Sequence, residues 1–236
     1  MVTADGLETN IGNRCGFKKF GVQYQRIKNA AIASDRRERN RQKIRTALAE
    51  RDQFYSTIEA LLSAPHGAKW LAKVKADFER KVPSEACYMI RKMAREGMPS
   101  VYTARLRSGK EMELQRELHG SGKTHVSRYA LDQVGTLTGL DFWIHDLRGL
   151  LIDQLQMKMR ALEGEAVQSL TEVRLRQYAG WLDEVPFKIT EAQRLIGEGA
   201  KFFNPANLNL IKYLSTDERK IEGLTSAIDA MLPLVR

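Results

Sequence analysis

The chain has 236 residues, enough to bury a substantial core in one large domain or two small ones. Its longest uncharged stretch, FFNPANLNLI at 202–211, is about half the ~20 residues a membrane helix needs, and residues 1–16 carry neither the apolar run nor the early basic cluster of a secretory signal, so a cytoplasmic protein is expected. The formal charge of +9 is uneven: residues 1–110 carry 23 basic against 11 acidic side chains and the remainder 15 against 18, which points to a polyanion-facing portion joined to a mildly acidic body.

Residues 1–16 are rich in Gly and Asn and are expected to be irregular. From Phe17 to about Ala64 there is no proline, and after Gly21 no glycine, in a run of good helix formers. Apolar residues recur at 20, 24, 27 and 31 and again at 44, 48, 55, 58 and 62, close to a seven-residue repeat interrupted by the polar block 34–43. The spacing predicts one long helix, or two nearly collinear ones, over 17–64. Its Ile44, Leu48, Tyr55, Ile58 and Leu62 stripe would dock on the C-terminal bundle or on a second copy.

Pro65 and Gly67 stop that helix. A second follows in AKWLAKVKADFERKV, with Trp70, Leu71, Val74, Phe78 and Val82 on one face. Pro83 and Ser84 make a break and an N-cap for a third helix, SEACYMIRKMAREG, with Ala86, Ile90 and Met93 turned inward and Gly97 ending it. Beyond Pro99 the period changes. SVYTARLRSGKEMELQREL alternates, and predicts a β-hairpin turning at Ser108-Gly109-Lys110. From about Ser127 onwards the chain reads as helical, with breaks near Gly139, Gly164, Pro186, Gly199–Pro205 and Ser215, the last opening a capping box, Ser-Thr-Asp-Glu. The expected fold is therefore mainly α: an irregular segment (1–16), a long basic helical arm (17–64), a helix-helix-hairpin unit with a glycine loop (65–126), and a C-terminal helical bundle (127–236).

The sequence HGSGKTHV, 119–126, contains the tail of a phosphate-binding loop. The full motif requires a glycine at 117, where Glu117 stands, and an apolar strand before the loop, where EMELQREL alternates with charge. Useful ATP or GTP binding is not expected. The remaining functional reading is an anion nest in which Lys123 sits beside a glycine turn. GLLID, 149–153, imitates a magnesium-binding strand but falls in a strongly helical stretch. Cys15 and Cys87 lie far apart without a CxxC, and His66, His119, His125 and His145 are scattered, so no metal site and no cofactor are expected. His145 stands four residues after Asp141, the spacing of a helical ion pair. No carboxylate pair joins a histidine or lysine in a catalytic pattern, so no enzyme activity is expected.

The basic block RRERNRQKIR places Arg36, Arg37, Arg39, Arg41, Lys43 and Arg45 around most of a helix circumference, with only Asp35 and Glu38 nearby to offset them. That excess of one sign favours contact with a polyanion. Residues 68–118 resemble a winged helix-turn-helix module. The resemblance implies DNA binding: SEACYMIRKMAREG would be the helix in the major groove, exposing Ser84, Glu85, Tyr88, Arg91, Lys92 and Arg95, and RLRSGK would be the wing tip, with Arg105, Arg107 and Lys110. The preceding helix departs from that family, being longer than its members use. A non-catalytic nucleic-acid-binding protein is thus expected, DNA ahead of RNA because of the wing. The alternative is a helical scaffold acting through coiled-coil-like association of residues 44–62.

Overall fold

The computed structural model describes residues 13–119, 127–215 and 218–235. It is mainly helical with one two-stranded antiparallel sheet. No helix of the described residues is long and apolar enough to cross a membrane. The chain divides into two compact units, one comprising the residues up to Phe54 with Lys158–Pro186, the other Tyr55–Met157 with Phe187–Arg236.

The first unit is built on α1 (Asn13–Ala49), which begins inside the segment expected to be irregular. Glu50 interrupts it before α2 (Arg51–Ser63), yet the ladder carries on: Glu50 N–H donates to Thr46 and Phe54 N–H to Glu50. The expected long arm is therefore two helices joined end to end. Ile44 is wholly buried, and α1 packs on the 3-10 turn Val167–Ser169. Alongside it in this unit, Met159 and Leu162 of α6 (Met157–Glu163), Leu170, and Leu175, Ala179 and Trp181 of α7 (Glu172–Phe202) are buried. Pro186, expected to break the chain, instead lies inside α7. An interior proline removes one ladder hydrogen bond and costs about 3 kcal/mol, which long helical stretches on both sides can absorb.

The second unit carries the larger aromatic core. α3 (Ala68–Lys81) buries Leu71, Val74 and Phe78, with Val82 just beyond its end, and α4 (Ser84–Glu96) buries Ala86, Cys87, Ile90, Met93 and Ala94. Both faces agree with the apolar spacing. Gly97 closes α4 in the left-handed conformation at φ 64°, which only glycine adopts without strain. Phe78 meets Trp143, Phe202 and Phe203 edge to face at 5.5, 6.1 and 5.8 Å between centroids, and Phe202 and Phe203 meet each other at 5.1 Å. The 3-10 turn Leu140–Trp143 brings Phe142 and Trp143 to this cluster. It is entered through Gly139, at φ 72°, whose missing Cβ lets the backbone approach Glu198 and Phe202 of α7.

Three expectations fail in this unit. The hairpin at 100–118 is absent: β1 (Ser100–Leu106) is followed by α5 (Gly109–His119). Ser108 and Glu111 form a capping box, Ser108 N–H donating to Glu111 Oε2 at 2.8 Å and Glu111 N–H to Ser108 Oγ at 3.3 Å, so this S-x-x-E nucleates a helix where a turn was expected. The true partner of β1 is β2 (Tyr129–Thr136), in a stretch expected to be helical; they run antiparallel, Arg105 opposite Ala130 and Thr103 opposite Asp132, with an irregularity at Val101/Tyr102. GLLID is helical as expected, and in π form: Gly149–Gln156 is a π-helix, with Met157 N–H donating five residues back to Ile152. His145 does not pair with Asp141, whose carboxylate accepts from Arg194 at 2.7 Å.

α8 (Pro205–Ile211) contributes Asn207, the one buried polar side chain among the described residues. Its Oδ1 accepts from Thr138 N–H at 3.2 Å, and its Nδ2 donates to the Thr138 carbonyl at 2.8 Å. α9 (Glu218–Asp229) follows, and part of the capping box expected at 215–218 lies outside the described residues.

Candidate nucleic-acid interface

The basic block lies on the second half of α1, where helical geometry sorts it into two rows. Arg37, Arg41 and Arg45 follow at intervals of four, and Arg36, Arg39 and Lys43 at intervals of three and four. Glu38 neutralises part of the first row, holding Arg45 at 3.0 Å and Arg41 at 3.6 Å. Arg41 is partly buried, and its Nε has no hydrogen-bond partner. Lys43 is claimed from elsewhere in the unit: both oxygens of Asp183, on α7, accept from its Nζ at 2.7 and 2.8 Å. That partner lies 140 residues away in sequence, so counting nearby acids could not find it.

Arg36, Arg37 and Arg39 differ from these three. All are exposed, and none makes an ion pair among the described residues. They sit in a stretch, residues 23–39, where no described side chain is fully buried and where Ile27 and Ile32 are more than two-fifths exposed. A helix that buries no side chain of its own over several turns presents these guanidinium groups to solvent, with Asp35 and Glu38 the nearby carboxylates and neither in an ion pair with the three among the described residues. The excess charge of the block is concentrated there.

The second group of expected contacts belongs to the other unit. Arg91, Lys92 and Arg95 are exposed on α4 together with Ser84, Glu85 and Tyr88, as the helix spacing predicts. Arg91 nevertheless pairs with Glu79 at 2.6 Å and Lys92 with Glu96 at 3.9 Å, which leaves Arg95 as the basic side chain of that face with no ion pair among the described residues. The supposed wing does not form a tip. Arg105 is held by Glu111 and by Asp132, each at 2.6 Å, and these carboxylates push its already high pKa further up. The same bonds, with those from Ser108, hold Glu111 well below the usual carboxylate range. Arg107 donates to the Tyr129 carbonyl at 3.2 Å and continues the ribbon, and Lys110 is exposed in the first turn of α5. The outer ribbon face is apolar, presenting Tyr102, Leu106, Tyr129 and Leu131, all exposed.

Lys123 and the GSGKT run lie outside the described residues. The elements flanking them are α5 before and β2 after, the reverse of the strand–loop–helix order that a nucleotide-binding loop requires. Among the described residues no three His, Cys, Asp or Glu side chains group as metal ligands would. Comparison with protein-family models, curated proteins and solved structures found no match.

Proposed function

We propose that the protein is a non-catalytic nucleic-acid-binding protein that engages the phosphate backbone through the basic part of α1. The observation that carries this reading is the set of three exposed guanidinium groups, Arg36, Arg37 and Arg39, with no ion pair among the described residues, while their neighbours Arg41, Lys43 and Arg45 are engaged within the unit. Arginine matches phosphate bidentately, and an exposed helix bearing an excess of one sign is an electrostatic footprint for a polyanion. Without a tight wing the reason for placing DNA ahead of RNA falls away, so the proposed contact is with backbone and is independent of sequence.

The exposed Ile27 and Ile32 on the same helix favour a second reading, in which α1 associates with another helix as a scaffold. One experiment separates the two. Replacing Arg36, Arg37 and Arg39 together with Gln keeps helix propensity. The triple variant is expected to bind duplex DNA and RNA more weakly and to flatten the slope of log affinity against log salt by roughly two to three units, at about 0.9 per phosphate contact. Unaltered affinity and slope, with helicity intact, would place the scaffold reading first.

A further inference from the structure

The second unit contains a cavity of about 340 Å³ between α3, the segment just after the Leu140–Trp143 turn, and the π-helix. Its walls are largely apolar, supplied by Leu71, Phe142, Leu147 and Leu151 among others. The volume lies at the lower end of the range for small-molecule sites. One wall is a π-helix, a strained form found disproportionately at functional sites.

The polar groups at this cavity have one predominant sign. Lys69, Lys75 and Arg148 line it, against the single carboxylate of Asp146. Asp146 is occupied: its Oδ1 accepts from Gly149 N–H at 2.9 Å and caps the π-helix. Lys69 is occupied as well, by Glu59 at 2.8 Å. Arg148 and Lys75 are not held by a carboxylate among the described residues; Arg148 is exposed, and the more sheltered of the two is Lys75. It is half-buried, makes no hydrogen bond or ion pair among the described residues, and holds its ammonium over the Phe142 and Trp143 rings at 4.9 and 5.0 Å from their centroids. Burial pushes its pKa down, opposed by Glu79 and Asp146 at longer range, with Arg91 adding to the downward shift. A partly desolvated ammonium that lies over ring faces and has no ion pair gains from an anion brought into direct contact with it.

We propose that this cavity binds a small amphipathic carboxylate, its apolar body seated against the walls and its carboxylate set on Lys75. Apolar walls supply affinity in proportion to the area they remove from water, and the ammonium selects for the anion. The site is independent of the arginine segment of α1, which belongs to the other unit.

The test is calorimetric titration of the full-length protein with decanoate and, in parallel, with the uncharged decanol. Wild type is expected to bind decanoate saturably at one site. Lys75→Met should weaken decanoate about tenfold or more, the worth of a charge-assisted hydrogen bond, and change decanol less than about twofold. Ala72→Phe, which projects a ring into the cavity from an exposed position on α3, should abolish both. If Lys75→Met does not fold by circular dichroism, Lys75→Gln gives the same comparison. No saturable decanoate binding by folded wild type would overturn the proposal, as would equal decanoate affinity in the Lys75 variants. Binding that emerges only on dilution would show the cavity filled by a second copy, and would overturn it too.

Discussion

Glu111 shows how a single side chain redirects a segment. Its carboxylate receives Ser108 N–H, Ser108 Oγ–H and the Arg105 guanidinium, three donors that all favour the ionised form. Because the folded pKa is depressed, this cap stabilises in full above the ordinary glutamate value of 4.5 and is lost only as pH falls through the lower folded value. Followed by carboxyl NMR shifts during acid titration, Glu111 should remain ionised at the ordinary glutamate value of 4.5; half-protonation there would mean that the cap does not persist in solution. Asn207 works in the interior. It satisfies both backbone groups of Thr138, so Asn207→Leu should leave a part-buried N–H and C=O without their protein partner and cost about 1 kcal/mol in urea denaturation. An unchanged midpoint would show that water replaces those bonds at no cost. The Ser108-x-x-Glu111 spacing carries the first role in the sequence, but the second could not be read there, because an asparagine near a proline resembles an ordinary turn residue until the loop it ties down is known.

Helices α3 and α4 were legible because a 3.6-residue apolar period in each coincides with breaks at its ends: Pro65 and Gly67 before α3, Pro83 between the two, and Gly97 after α4. The ribbon was not legible, for two physical reasons. EMELQREL fits an alternating pattern and a helical one equally, and the capping box at Ser108 and Glu111, rather than the alternation, decides between them. In β2 the apolar residues Tyr129 and Leu131 point outward, so no core-facing stripe marks that strand. The aromatic cluster makes the energetic contrast measurable. Phe78 is wholly buried among three aromatic partners, and Phe78→Ala should cost about 3–5 kcal/mol by chemical denaturation. Phe187, 77% exposed, should tolerate the same change within about 0.5 kcal/mol. Similar losses at both positions would contradict the burial assigned to them.

Across the whole molecule, the boundaries that matter are not those drawn by sequence order. Each unit is assembled from two separated segments, and the chain passes between them at Phe54, Met157 and Pro186, within or between helices rather than at linkers. The basic first half of the sequence is accordingly shared out, with 16 basic and 11 acidic side chains in the first unit and 22 and 18 in the second. Neither unit is strongly basic as a body, so the proposed affinity for a polyanion rests on the local density of charge on α1. The arginine block was visible in the sequence, but which of its members are engaged was not, because Asp183 reaches Lys43 from a distant segment. The proposed backbone contact is tested most directly by titrating the wild-type protein into a labelled duplex across a series of salt concentrations. Engagement of Arg36, Arg37 and Arg39 predicts that log affinity falls against log salt with a slope of about −3 or steeper, alike for unrelated sequences. A slope near zero, or no measurable binding at low salt, would contradict it.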